Sequence, residues 1–313
     1  MKNYKISDLF LVNKDENVSK LNDEIKKFLE SDDFKNKLKF DDIDFSSVVM
    51  NQGSYSRHTA SYLLNGEGKS DIDILFHIEN HYSSTETIKK EEYVSLYKSK
   101  ISEHIFDKIP SPYEYKGGSI SGEYYVKLKN QMFNELKLNF PNFLIKNKNK
   151  CIEINCGNVN FDICLSSKFY INNDENLVAF KIKTNDQNEK FISFPKLNKE
   201  YIKEKNSKYN HFYEYTRVFK NINKLLMDNK FSSFLLECLL YRIDNNNFND
   251  SPTKIKILDL LESLKDFFDE TINNNQELKE INDILLLDET LLKKNFGSWY
   301  HDMKNFINER VIE

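Results

Sequence analysis

The run DIDILFHI, from Asp71 to Ile78, constrains the fold of this 313-residue chain more than any other stretch. Alternate side chains of a strand point to opposite faces, so Asp71 and Asp73 project together while Ile72 and Ile74 turn the other way. The apolar row must be buried and the acidic pair must not, which calls for a sheet with one face on a core and the other open. Two like charges side by side repel, and a divalent cation between them removes the repulsion. Mg²⁺ is typically held by one or two carboxylates together with substrate phosphates.

A later strand offers a third acid. CIEINC, Gly157-Asn158 and VNFDICL read as two strands around a two-residue hairpin turn. Val159, Phe161, Ile163 and Leu165 supply a buried face, which leaves Asp162 on the opposite one. Asp71, Asp73 and Asp162 are the expected catalytic carboxylates and ligands of two Mg²⁺ or Mn²⁺ ions, which in such sites activate the attacking oxygen and stabilise the leaving oxygen of an in-line displacement. Upstream, Gly53-Ser54 sits where a turn could enter a helix; the glycine lets backbone amides approach phosphate oxygens and the serine adds a hydroxyl donor. His58, His77 and His81 read as structural, because metal-activated hydroxyl attack needs no histidine base.

Around these segments the period changes twice. Residues 16–38 carry Val18, Leu21, Ile25 and Leu29 as the stripe of an amphipathic helix. Ser84 or Thr85 caps an expected helix with Ile88, Val94, Tyr97, Ile101 and Ile105 on its apolar face, ending before Pro110. Another helix is expected over 121–139, with Tyr125, Leu128, Met132 and Leu136 on one side, and a short strand from Phe143 to Lys146. From about 198 the pattern is helical, with helices near 209–229, 231–243, 253–270, 276–287 and 298–310. The expectation is an α+β chain: a mixed sheet-and-helix catalytic lobe over 1–197, including the N-terminal helix, and a helical lobe over 198–313, with the active site in the cleft between them.

Composition narrows the partners. Thirty-nine per cent hydrophobic residues with 24 Phe and 17 Tyr describe a globular chain. A net charge of −4 argues against a protein that blankets nucleic-acid phosphates, and the lysines of the basic stretch 127–150 read as solvated helix and loop charge. No run approaches the ~18 apolar residues that cross a bilayer, and the first residues lack the apolar core of a signal peptide, so no membrane partner and a cytoplasmic location are expected. The four cysteines form no CxxC pair and read as buried, reduced thiols.

QGSYSRHT at 52–59, DIDI at 71–74 and the Asp162 of FDICL together resemble the nucleotidyltransferases of the polymerase-β superfamily, and more narrowly the bacterial relatives of cyclic GMP-AMP synthase, the CD-NTases, whose catalytic region is also called the SMODS domain. YEYTRVFKNINKLL (213–226) and SSFLLECLLY (232–241) are similar to that family's Arg-xx-Lys helix and Ser-aromatic-Leu-x-Glu helix. The resemblance implies a polymerase-β-like lobe that binds nucleoside triphosphates and joins them into cyclic di- or oligonucleotide messengers in antiphage signalling, the product acting on a separate effector protein. It implies triphosphate contact for Lys220, donor-nucleotide contact for Ser233, acceptor contact for Gln52 and phosphate binding for Gly53 and Ser54. His58 stands where many superfamily members carry Gly, a departure compatible with the bacterial subgroup. No Cys/His cluster matches the zinc insertion of the animal enzyme, so activation by DNA is not implied. Nucleotidyl transfer to an RNA, protein or small-molecule acceptor is the alternative, and a nucleotide-binding module without turnover is a third.

Overall fold

The chain's computed structural model describes residues 2–10, 16–38, 46–57, 60, 70–79, 86–88, 113–115, 122–157, 159–170, 178–183, 185, 190–226, 231–276, 278–281 and 289–313. Strand β3 (Ser70–Glu79) carries DIDILFHI and lies inside a seven-stranded mixed sheet. Its main path runs β10 (Lys190–Ser193), β9 (Val178–Lys183), β8 (Val159–Tyr170), β3, β2 (Ser46–Gln52). Along the early part of β8 runs β7 (Ile152–Asn155), and β6 (Leu144–Asn147) follows it outward. β3 and β8 are parallel, and the remaining pairings in this sheet are antiparallel. The expected hairpin joins β7 to β8: Cys156 N–H donates to Val159 O at 2.9 Å and Gly157 adopts φ 78°, a left-handed turn conformation that glycine takes without steric cost.

The apolar face of this sheet packs on helices. The stripe over 16–38 folds as two helices, α2 (Glu16–Glu30) and α3 (Asp32–Lys37), and not as one. Ser31 causes the break: its hydroxyl accepts from Phe34 N–H at 3.3 Å and donates to Phe28 O at 2.7 Å, offering the backbone an end-cap in place of a continued helix. Phe34 then meets Phe76 of β3 edge-on, ring centroids 5.8 Å apart. On the same core lies α5 (Gly122–Asn139), which buries Tyr125, Leu128, Met132 and Leu136 as its spacing predicts. Each such side chain removed from water contributes on the order of 1.5–3 kcal/mol.

Three local expectations fail. Glu86–Ile88, assigned to a helix, is strand β4, paired antiparallel with β5 (Tyr113–Tyr115); Val94, Tyr97, Ile101, Ile105 and Pro110 lie outside the described residues. Of the helix expected over 276–287, residues 276 and 278–281 are not helical, although Leu278 and Ile281 are buried at helix-like spacing, and 277 and 282–287 lie outside the described residues. Helix α9 (Lys254–Asn273) is capped by Asn274 and followed by Asn275 at φ 51°, a left-handed position that stops the helix, and Leu278 and Ile281 beyond it are buried in the helical core. Lys129, read as solvated, is 1% exposed, and its ammonium donates to Lys148 O, to Asn149 O (2.9 Å) and to Asn185 Oδ1 (2.8 Å), so it ties α5 to the loop entering β7.

The helical lobe comprises α6 (Pro195–Lys208), α7 (Phe212–Leu225), α8 (Ser233–Arg242), α9 and α10 (Glu289–Arg310). Residues 4–10, grouped with the catalytic lobe by sequence, pack here. β1 (Tyr4–Lys5) pairs in parallel with β11 (Val311–Ile312), and α1 (Ile6–Phe10) buries Ile6 and Leu9 in the helical core. All four cysteines are free thiols; Cys151, Cys164 and Cys238 are buried and Cys156 is half-buried. Among the described residues no helix is long and apolar enough to cross a membrane.

Candidate active site

The register of the sheet assembles the acids. Asp73 is the cross-strand partner of Asp162 on the parallel strand β8 and of Gln52 on β2. Residues in direct register share a face, so Asp71, Asp73 and Asp162 stand on one side, and Ile72, Ile74, Phe161 and Ile163 are buried on the other. Asp71 is opposite Asn160, whose amide donates to Asp71 Oδ1 at 3.2 Å. Along β3 the acidic face closes over stepwise: Asp71 is exposed, Asp73 half-buried, Leu75 and His77 buried. The carboxylates thus sit at the open end of a covered surface, and His77, expected to be structural, lies under the cover.

Their electrostatics follow from that position. Burial and the neighbouring charge of Asp162 push the Asp73 carboxyl up to about 6, with Asp71 adding to the push and Arg57 and Lys220 opposing it. Asp162 is raised as well, by burial first and Asp71 second. Asp162 Oδ1 is a buried oxygen with no hydrogen-bond partner among the described residues. Crowded carboxylates with unspent lone pairs are the donor set a hard divalent cation requires. Among the described residues no group of three or more His, Cys, Asp or Glu side chains forms a ready-made ion site.

The Gly53-Ser54 bend lies against these acids. β2 runs directly into α4 (Gly53–Ser56), and Gly53 has φ 66°. A Cβ on Gly53 would fall 1.9 Å from Asp73 Oδ2. Only glycine permits this approach, so the backbone of the bend touches the central carboxylate. Ser56 Oγ closes the turn by donating to Gly53 O at 3.0 Å. Gln52 contributes its backbone to β2 beside Asp73; His58 and His81 lie outside the described residues.

In the helical lobe the geometry differs from what the motifs imply. Lys220 is 1% exposed, and its ammonium donates to Glu237 Oε2 at 2.7 Å. Glu237 also takes two hydrogen bonds from Arg57, Nε to Oε1 at 2.5 Å and the terminal nitrogen to Oε2 at 3.0 Å. Lys224, one turn further along α7, is half-buried, and the charge of Asp71 supports its ammonium against a downward pull from burial. Ser233 opens α8 half-buried, and the capping duty belongs to Ser232, which accepts from Leu235 N–H at 3.2 Å. Arg217 donates to Phe10 O at 2.8 Å.

Four charged residues near the site were given no role by the sequence: Arg57, Lys224 and Glu237, which lie inside the quoted motifs, and Glu153. Glu153 is the cross-strand partner of Asp162 on β7, is buried, and is ion-paired with Lys148. The alternation of CIEINC held the signal for Glu153, and the isolated acid inside the apolar run FLLECLL held it for Glu237.

The helical lobe matches the model of the cGAS/DncV-like nucleotidyltransferase C-terminal helical domain over residues 200–310. The chain is 27% identical over 253 residues to the cyclic dipurine nucleotide synthase of Elizabethkingia meningoseptica, covering 77% of each protein. Its fold is similar to the solved CdnE cyclic dinucleotide synthase of Elizabethkingia meningoseptica with GTP and Apcpp (TM-score 0.53, 19% identity, 98% of this chain and 92% of that one). It is similar also to the STING-associated CdnE c-di-GMP synthase of Capnocytophaga granulosa (TM-score 0.63, 16% identity, 97% and 85%). A mixed sheet that presents acids in register, joined to a helical lobe that matches this C-terminal domain, gives the chain a fold similar to that of the bacterial cyclic GMP-AMP synthase-like nucleotidyltransferases, the CD-NTases.

Proposed function

We propose that the protein joins nucleoside triphosphates into a cyclic di- or oligonucleotide messenger, the ribose hydroxyl of one nucleotide attacking the α-phosphorus of another with release of pyrophosphate. The single observation that carries this is the register Asp73↔Asp162 on parallel neighbours, with Asp71 two residues before Asp73 on the same face. Nucleotidyl transfer needs such a group of oxygen ligands and no protein nucleophile. Two Mg²⁺ or Mn²⁺ ions held by Asp71, Asp73 and Asp162 would supply Lewis-acid stabilisation of the phosphoryl oxygens and a lowered hydroxyl pKa. Gly53 and Ser54 hold the donor phosphates beside Asp73, and Gln52 contacts the acceptor nucleotide, as the resemblance implies. Lys220 supports the triphosphate side from within its buried ion pair, and Lys224, nearer the surface, reaches the phosphates directly. Ser233 contacts the donor nucleotide at the first turn of α8. The named products of the relatives, cyclic dinucleotides, support this reading. In a bacterial cell the product would signal in antiphage defence through a separate effector.

Mass spectrometry of products from all four triphosphates with Mg²⁺ or Mn²⁺ tests the proposal. A phosphatase-resistant cyclic product is expected from the wild type and not from Asp73→Asn. Identical spectra for the two proteins would remove the enzymatic claim, and turnover only after adding an RNA, protein or small hydroxylated acceptor would transfer it to that substrate class.

A further inference from the structure

The Arg57–Glu237–Lys220 trio is the most unusual charge arrangement in the described chain. Its members are 5%, 0% and 1% exposed. They come from three elements: Arg57 directly follows α4 in the catalytic lobe, Lys220 lies on α7 and Glu237 on α8. Although burial pushes the Glu237 carboxyl upward, Arg57 and then Lys220 hold it down at about 2, so it is charged across the physiological range. The guanidinium also lies over the Phe234 ring at 5.3 Å, so its plane is held as well as its charge. Three charges in a dry contact are a poor source of stability, because desolvation offsets most of the Coulomb gain. What such a trio supplies is one permitted geometry. Here that geometry concerns the phosphate turn: Gly53 at its start is pressed on Asp73, and Arg57 at its end is gripped by Glu237.

We infer that Glu237 is a positioning residue, whose carboxylate clamps Arg57 of the catalytic lobe and Lys220 of the helical lobe and so fixes the Gly53–Ser56 turn against α7 at the spacing one triphosphate bridges. The inference rests on the nucleotidyltransferase reading above and deepens it by naming what holds the two halves of the donor site in register. Glu237 touches no substrate in this scheme. It acts through the turn and the lysine helix, and a misplacement of about 1 Å at such a distance from the chemistry costs on the order of 100-fold in rate.

The test compares wild type, Glu237→Gln and Arg57→Lys. The readouts are pyrophosphate release (kcat and KM), affinity for a non-hydrolysable nucleoside triphosphate analogue with Mg²⁺, and a thermal melt followed by Trp299 fluorescence. For folded Glu237→Gln the expected result is a fall in kcat/KM of about 100-fold with analogue affinity weakened about 10-fold. Arg57→Lys keeps the charge but loses the two-pronged grip, so a loss on the order of 10-fold is expected. A folded Glu237→Gln within about twofold of wild type in both readouts would overturn the inference, since a purely stabilising trio would move only the melt. Should that variant fail to fold, Arg57→Lys decides on the same readouts. A wild type that binds the analogue but releases no pyrophosphate sinks the catalytic reading alone, and the analogue affinities still judge Glu237. Failure of the wild type to bind the analogue overturns both.

Discussion

At the scale of single residues, the site depends on one missing methyl group. Gly53 combines φ 66° with a Cβ direction that ends 1.9 Å from Asp73 Oδ2. A left-handed conformation costs a non-glycine residue roughly 1–2 kcal/mol, and the collision must in addition push the carboxylate or the turn aside. Gly53→Ala is therefore expected to lower pyrophosphate release at least about 100-fold while the melt shows a modest loss. Wild-type turnover in that variant would place the donor phosphates elsewhere. The same economy separates the two lysines of α7. Lys220 spends its charge on Glu237 inside the protein, and Lys224 keeps partial exposure on the side of Asp71.

At the scale of elements, polar side chains buried between helices decide how the helical lobe closes. Asn223 of α7 is 3% exposed; its Oδ1 accepts from Phe231 N–H at 3.1 Å and from Trp299 Nε1–H at 3.0 Å, and its Nδ2 donates to Phe231 O at 2.9 Å. One amide thus joins α7, α10 and the segment that enters α8. Leucine at this position fills similar volume but strands three buried polar groups, each costing about 1–3 kcal/mol. Asn223→Leu is expected to lose on the order of 3–5 kcal/mol in denaturant unfolding, and Trp299, the chain's single tryptophan, reports the transition directly. A loss under about 1 kcal/mol would show that the lobe is held by its apolar contacts alone.

At the scale of the whole molecule, the N-terminal segment belongs to the lobe farthest from it in sequence. Ile6 and Leu9 are buried in the helical core, Arg217 and Asn221 satisfy themselves on Phe10 O and Leu9 O at 2.8 and 2.6 Å, and β1 completes β11. Deleting residues 2–10 removes two apolar side chains from the core and takes away the carbonyl oxygens to which Arg217 and Asn221 donate. The expected cost is about 4–8 kcal/mol, read as a lower melting temperature and early exposure of Trp299. An unchanged melt would mean that the segment rests on the lobe without supporting it. Since Lys220 lies on the same α7 helix that these contacts brace, activity is expected to fall with the melt.

Much of this was written in local pattern. Alternation in DIDILFHI and VNFDICL separated buried from acidic faces, Gly157 marked the hairpin, and the stripe of α5 named its core residues; each depends only on the period of one element, which neighbouring residues fix. The failures were also local: Ser31 capped where a stripe continued, and Leu278 and Ile281 mimicked helical spacing in an irregular segment. The register of Asp73 against Asp162, the contact of Gly53 with a carboxylate, and the pairing of Arg57 with a glutamate 180 residues away were decided by tertiary structure. Burial turns a solvated lysine such as Lys129 or Lys220 into a paired one only when a distant acceptor arrives beside it. The sequence determined which faces had to be hidden, and the docking of sheet on helices, then lobe on lobe, chose which charges would meet, because desolvation penalises every buried charge that finds no partner.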